Sequence, residues 1–169
     1  MNSTYTIVSG TNRTGSNTIK IARQYQRMLE EKGVPANLLT LENLDVSSRN
    51  DQIRELENRL LIPTGKFIFI SPEYNGSIPG VLKSLFDSSD IQHCWWGKKA
   101  LLVGVSTGRA GNLRGMEHLT GILHYLKMLV YHHKLPISVV NVLLHPDGSV
   151  KDEGTLRAIN QQLDEFIAF

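Results

Sequence analysis

A single cysteine, Cys94, stands in the 169 residues. One thiol closes no internal disulfide, which fits a chain made for a reducing compartment. An excess of charge of one sign is missing too. Eighteen Lys and Arg face 16 Asp and Glu, leaving +2 with His neutral. That surplus is too small to point to a nucleic-acid or membrane partner. No uncharged apolar segment reaches the roughly 20 residues needed to cross a bilayer. The N-terminus lacks the basic start and long apolar run of a secretory signal. Repeats, low-complexity tracts and linker-like stretches are absent. With 41% hydrophobic and 20% charged residues, the composition is that of a globular chain. Together these features predict a cytoplasmic protein with one domain over residues 1–169.

Several chemical signatures are also lacking. Neither the Gly-Lys-Ser/Thr ending of a Walker A loop nor a Gly-x-Gly-x-x-Gly fingerprint occurs, which argues against a nucleoside triphosphatase and the usual dinucleotide fold. No Ser–His–Asp triad stands out. His118 and His124 are not at the i, i+4 spacing that puts two ligands on one helix face, so no metal site is expected.

What is present is an alternation of apolar runs with helical patterns. Strands are expected at Tyr5–Val8, Ala36–Leu41, Lys66–Ser71, Ala100–Val105 and Ile137–Val142. Helices are expected at Asn17–Lys32, Gln52–Leu61, Gly80–Ser88, Leu113–His132 and Glu153–Ala168. The continuously apolar Phe67-Ile68-Phe69-Ile70 suits a strand covered on both faces. Five such units imply an α/β fold: a doubly wound five-stranded parallel sheet, order 2-1-3-4-5, with helices on both faces, as in flavodoxin-like proteins. Ligands bind such sheets beyond the carboxyl ends of the strands. The loops after strands one, three and four would therefore open on one edge and build one site.

Each of those loops carries suitable chemistry. The first, Ser9-Gly10-Thr11-Asn12-Arg13-Thr14-Gly15-Ser16-Asn17-Thr18, offers backbone N–H groups, hydroxyls and the Arg13 guanidinium to an anion. The start of the next helix adds unpaired N–H groups and the positive end of its dipole, so a phosphate monoester is the natural guest. The second runs Ser71-Pro72-Glu73-Tyr74-Asn75-Gly76-Ser77-Ile78-Pro79-Gly80. Two prolines stiffen it, Asn75-Gly76 signals a turn, and Tyr74 offers a flat face to a planar heterocycle. Glu73 reads either as a general base or as a carboxylate that holds the loop by accepting N–H bonds. The third, Ser106-Thr107-Gly108-Arg109-Ala110-Gly111-Asn112, has glycines where backbone approaches a ligand closely, and Arg109 to steer an anion. Cys94-Trp95-Trp96 reads as a half-buried loop anchor or as the place of a redox thiol, with Trp95 and Trp96 alternatively bordering a neighbouring subunit's site.

These motifs resemble those of the NADPH-dependent FMN reductase family, flavodoxin-like flavoproteins that include chromate, quinone and azo-dye reductases. Gly10–Asn17 is similar to its Gly-Ser-x-Arg-x-x-Ser-x-Asn loop, with Thr11 for the usual Ser and Asn17 one place early. Pro72–Asp87 matches its Pro-Glu-Tyr-Asn-x-Ser-x-Pro-x-x-Leu-Lys-x-x-x-Asp motif throughout. The third loop resembles Ser-x-Gly-x-x-Gly-Gly, with Asn112 at the last glycine. The resemblance implies that Thr11, Arg13, Ser16, Asn17 and Thr18 hold the FMN phosphate. It implies that Pro72, Glu73, Tyr74, Asn75 and Ser77 border the isoalloxazine, largely through main chain, with Ser106, Gly108 and Gly111 at its far edge. Arg109 would contact the nicotinamide phosphate or an anionic acceptor. The activity implied is ping-pong transfer from NADPH or NADH to quinones, flavins, azo compounds or metal oxyanions, with no catalytic acid or base. A homodimer or homotetramer is implied, with the helix Leu113–Tyr131 as a candidate interface. A flavodoxin-like electron carrier is the alternative; such carriers are usually strongly acidic, and +2 speaks against one. A second alternative is a relative that binds a phosphorylated ligand and has lost flavin.

Overall fold

The computed structural model describes residues 4–169. Parallel strands β1 (Tyr5–Ser9), β2 (Ala36–Thr40), β3 (Lys66–Pro72) and β4 (Lys99–Val105) form most of the sheet. Helices α1 (Asn17–Glu31), α2 (Asp51–Leu56), α3 (Gly80–Ser88), α4 (Ile91–Trp95), α5 (Leu113–Tyr125) and α6 (Glu153–Ala168) connect and cover it. Two short segments, β5 (Leu129–Val130) and β6 (Leu135–Ile137), both pair with β4. The order β2-β1-β3-β4-β5 is the expected flavodoxin-like one. Among the described residues, no helix is long and apolar enough to cross a membrane.

Alternation along the central strands builds a core on each face. Phe67 and Phe69 pack with Leu82, Phe86, Trp95 and Leu119 on the side of α3 and α5. Ile68 and Ile70 pack with Ile21, Tyr25, Ile159 and Phe166 on the side of α1 and α6. Every residue of β1 and β3 is buried, which is why Phe67–Ile70 reads as an unbroken apolar run.

The fifth strand departs from expectation. Residues 138–142 do not continue as a strand: Val139 takes a positive φ of 45° and Val140–Val142 forms a 3₁₀ turn. Pairing to β4 comes instead from β5 and β6, interrupted by Tyr131–Lys134. That stretch leaves the ladder to engage α6. His133 Nδ1 lies 2.6 Å from Glu165 Oε2, and Tyr131 packs on Phe166 and Phe169. The preceding helix also stops early, at Tyr125 rather than His132. Lys127, at φ 55°, closes it: the Lys127 N–H donates to the His124 carbonyl and the Met128 N–H to that of Leu123. This Schellman pattern ordinarily uses glycine, so Lys127 gave no stop signal.

Cys94 and Trp95 lie on α4, not in a loop. Asp90 caps that helix by accepting the His93 N–H at 3.0 Å. Trp95 is fully buried among Phe67, Phe69 and Phe86 and donates its indole N–H to Ser89 Oγ at 2.9 Å. It borders no exposed site. Trp96 is the exposed member of the pair, with the Lys127 ammonium 3.6 Å from its ring centre. Burial, with Glu57 nearby, pushes the Cys94 thiol up to about 12, so it carries no thiolate at neutral pH. Next to it, Glu57 is buried, accepts three hydrogen bonds from Arg49 and a fourth from the Asp90 N–H. A buried carboxylate without these donors would carry a desolvation cost of several kcal/mol (order of magnitude).

Candidate cofactor cleft

The loops after β1, β3 and β4 meet at the carboxyl edge of the sheet. Register explains the convergence: Ser9 lies beside Ile70, and Ser71 and Pro72 lie beside Gly104 and Val105. The three chains therefore leave the sheet side by side. Between them lies a cleft of about 470 Å³, within the ~300–1,000 Å³ range of small-molecule sites.

One end of the cleft is a cluster of donors. Arg13, Ser16, Asn17 and Thr18 line it, joined by Thr14. Ser16 Oγ caps α1 by accepting the Ile19 N–H at 3.2 Å. The N–H groups of Asn17 and Thr18 precede the first intrahelical bond. Those of Asn12, Thr14, Gly15 and Ser16 have no acceptor among the described residues. Six main-chain donors thus stand unpaired in one loop, beside a guanidinium and the positive end of a 15-residue helix. Asn17 Oδ1 accepts from Lys20 Nζ at 3.2 Å, which leaves its Nδ2 donors free.

The rest of the lining comes from the second and third loops and from the turn after β6. Pro72, Glu73, Tyr74 and Asn75 form one wall, and Val105, Ser106, Thr107 and Val140 the other. Asn75 and Gly76, at φ 53° and 79°, make the predicted turn, closed by mutual hydrogen bonds between Tyr74 and Ser77. That turn and its neighbours consume several main-chain donors. The Tyr74 N–H donates to Ser77, the Glu73 N–H to Val105 and the Ser106 N–H to Ile137. The N–H groups of Asn75, Gly76, Thr107, Gly108 and Arg109 have no acceptor among the described residues. The Glu73 carboxylate has no hydrogen bond among the described residues, so it does not tie the loop in the way one of the two readings expected.

A phenol joins the two ends. Tyr74 Oη and Thr11 Oγ1 are 2.6 Å apart, and the Arg13 guanidinium carbon lies 4.1 Å from the centre of the Tyr74 ring. Thr11 is thereby buried behind the cleft wall rather than lining it. Ser77 also points away, its Oγ 2.9 Å from His118 Nδ1 on α5. Gly108, Arg109 and Gly111 lie outside the wall. Ser106 Oγ donates to the Gly108 carbonyl and accepts the Gly111 N–H, and Arg109 is exposed. Asn112 takes the left-handed conformation (φ 64°) and donates Nδ2 to the Ser71 carbonyl at 2.9 Å, pinning the third loop to the root of the second.

Sequence reasoning missed Val140, which reaches the cleft from the 3₁₀ turn after β6. Its N–H and that of Val139 donate to the carbonyls of Ser106 and Gly108 and latch this segment to the third loop. The expected strand over 137–142 concealed that placement.

The profile of the NADPH-dependent FMN reductase family matches residues 4–140. A 2-hydroxy-1,4-benzoquinone reductase from a Burkholderia species is 25% identical over 78% of this chain and 74% of its own length. A quinone reductase of Escherichia coli K12 is 31% identical over 83% of this chain and 68% of its own. Among solved structures, the flavoenzyme NAD(P)H:(acceptor) oxidoreductase FerB of Paracoccus denitrificans superposes with a TM-score of 0.80. It covers 98% of this chain and 96% of that one at 24% identity, which shows a shared fold. With a profile spanning most of its length and the three loops meeting in one cleft, this chain belongs to the NADPH-dependent FMN reductase family.

Proposed function

We propose that the cleft holds FMN and that the protein is a cytoplasmic NAD(P)H-dependent reductase of quinones and related acceptors. The observation that carries this reading is the set of unpaired N–H groups beside Arg13 at the start of α1. A phosphate monoester supplies the acceptors those donors lack. Arg13, Ser16, Asn17 and Thr18 grip the phosphate, and the Asn17 amide turns Nδ2 inward because Lys20 occupies its oxygen. Thr11 contributes through Tyr74, whose ring carries Arg13. Pro72, Val105 and Val140 exclude water from the fused rings, while the free N–H groups of Asn75 and Thr107 meet their polar edge.

Bound flavin supplies hydride acceptance from a reduced nicotinamide and electron delivery to a second substrate, in ping-pong alternation at one face. No side chain is assigned a proton-transfer role. Relatives named quinone reductase favour quinones over azo compounds, free flavins or metal oxyanions as the acceptor. Arg109, exposed at the rim, suits contact with an anionic substrate. A homodimer or homotetramer belongs to this reading: Leu113, Tyr125 and Leu129 are exposed along and just beyond α5. Sedimentation equilibrium returning a monomer mass would remove that part.

The test is anaerobic titration of FMN-loaded protein with NADPH. The absorbance near about 450 nm, where oxidised flavin absorbs, bleaches and then returns on adding a quinone. Flavin indifferent to NADPH and NADH would favour an electron carrier. A protein that ignores added FMN would favour a relative that has lost it.

A further inference from the structure

A second concavity, of about 420 Å³, adjoins the donor end of the cleft and shares Thr14 with it. Lys20, Arg23 and Arg27 form one wall, at i, i+3 and i+7 on a single face of α1. Glu42 and the turn Asp147-Gly148 form the other.

A row of cations on a helix is ordinarily a solvated face. Three observations set this one apart. First, the opposite wall is shaped to it: Gly148 has φ +86°, and a Cβ there would lie 3.0 Å from Lys20 Cγ. The turn thus receives the Lys20 stem and fixes its ammonium, which bonds to Asn17 of the cleft. Second, the cations are not neutralised. Among the described residues no carboxylate comes within 4.0 Å of any of them. Among the described residues, Arg27 bonds only to Gln24 Oε1 and the Arg23 guanidinium has no hydrogen-bond partner. Third, the carboxylates opposite are fewer, and one is engaged. Asp147 accepts from the Ser149 hydroxyl and N–H at 2.6 and 2.9 Å. These two bonds, with smaller help from His145 and Arg27, hold its carboxyl below the usual range.

We infer that the groove of Lys20, Arg23 and Arg27 receives the phosphorylated adenosine ribose of NADPH, and that its 2′-phosphate makes the protein select NADPH over NADH. The inference rests on the flavin reading of the adjoining cleft. A donor whose nicotinamide enters that cleft must lay its far end on neighbouring surface, and Thr14 makes this groove continuous with it. Three cations against the two carboxylates Glu42 and Asp147 leave the groove net positive, and the two guanidiniums suit the oxygens of a phosphomonoester by forked contact. The 2′-hydroxyl of NADH offers them nothing comparable.

Calorimetric titration of the FMN-loaded protein with 2′,5′-ADP and with 5′-AMP reads the groove without turnover. The wild type binds 2′,5′-ADP about tenfold or more tightly than 5′-AMP, as a charge-assisted contact requires. In the Arg23→Ala/Arg27→Ala variant the two affinities come within about twofold of each other, and the KM for NADPH relative to NADH rises about tenfold. Both arginines are exposed, so the fold persists and circular dichroism verifies it. A wild type that does not distinguish the two nucleotides, or a variant that distinguishes them equally well, overturns the inference. Failure of the cleft reading shows separately, in wild-type protein that retains no FMN.

Discussion

Replacing Arg13 with alanine weakens FMN binding by about 1.5–3 kcal/mol, roughly 10- to 150-fold in the dissociation constant, the range for hydrogen bonds to charged groups. The guanidinium lines the donor end of the cleft and rests on Tyr74, so it is fixed before ligand arrives and little side-chain entropy remains to be lost. Fluorescence titration of the apoprotein measures the loss. Riboflavin, which lacks the phosphate, is the control, and its affinity stays within about twofold because the contact removed is a phosphate contact. A variant that binds FMN as the wild type does would exclude Arg13 as a phosphate ligand.

Trp95→Ala has the larger effect on stability, about 3–5 kcal/mol, the usual cost of deleting a fully buried aromatic. Its indole sits 5.0 Å from Phe86 and 5.1 Å from Phe67, centre to centre, with no solvent contact. Removing it leaves a void among rings held by β3 and α3 and orphans Ser89 Oγ from its N–H donor. Set against a typical total of about 5–15 kcal/mol, the loss is a large fraction of what holds the fold. In urea, the unfolding midpoint falls by roughly 1.5–2.5 M for an m-value near 2 kcal/mol/M. A midpoint within about 0.3 M of the wild type would mean that the ring cluster contributes far less than its burial implies.

Strands β1, β3 and β4 were legible because each carries an apolar run buried on both faces, and α1 and α6 because their side-chain caps and periodicity agree. The first two site loops were legible for the same local reason: Arg13 and Asn75-Gly76 announce their geometry in their residue types. What escaped depends on residues in conformations their types disfavour. Lys127 and Val139 both adopt positive φ, ending α5 and the fifth strand where an apolar pattern runs on. A β-branched residue at positive φ is a rare choice, so pattern reading passes over it. Hidden too were long-range ties. The Thr11–Tyr74 bond joins positions 63 apart, and the Ser77–His118 bond positions 41 apart. Those ties turn Thr11 and Ser77 into supports of the cleft wall rather than parts of its surface.

The measurement that bears most directly on the cleft is a crystal structure of the protein grown with FMN. It should show the phosphate on the N–H groups of residues 14–18 beside Arg13, and the rings between Pro72–Asn75 and Val105–Thr107. Density for FMN elsewhere, or none at saturating concentration, would contradict the account.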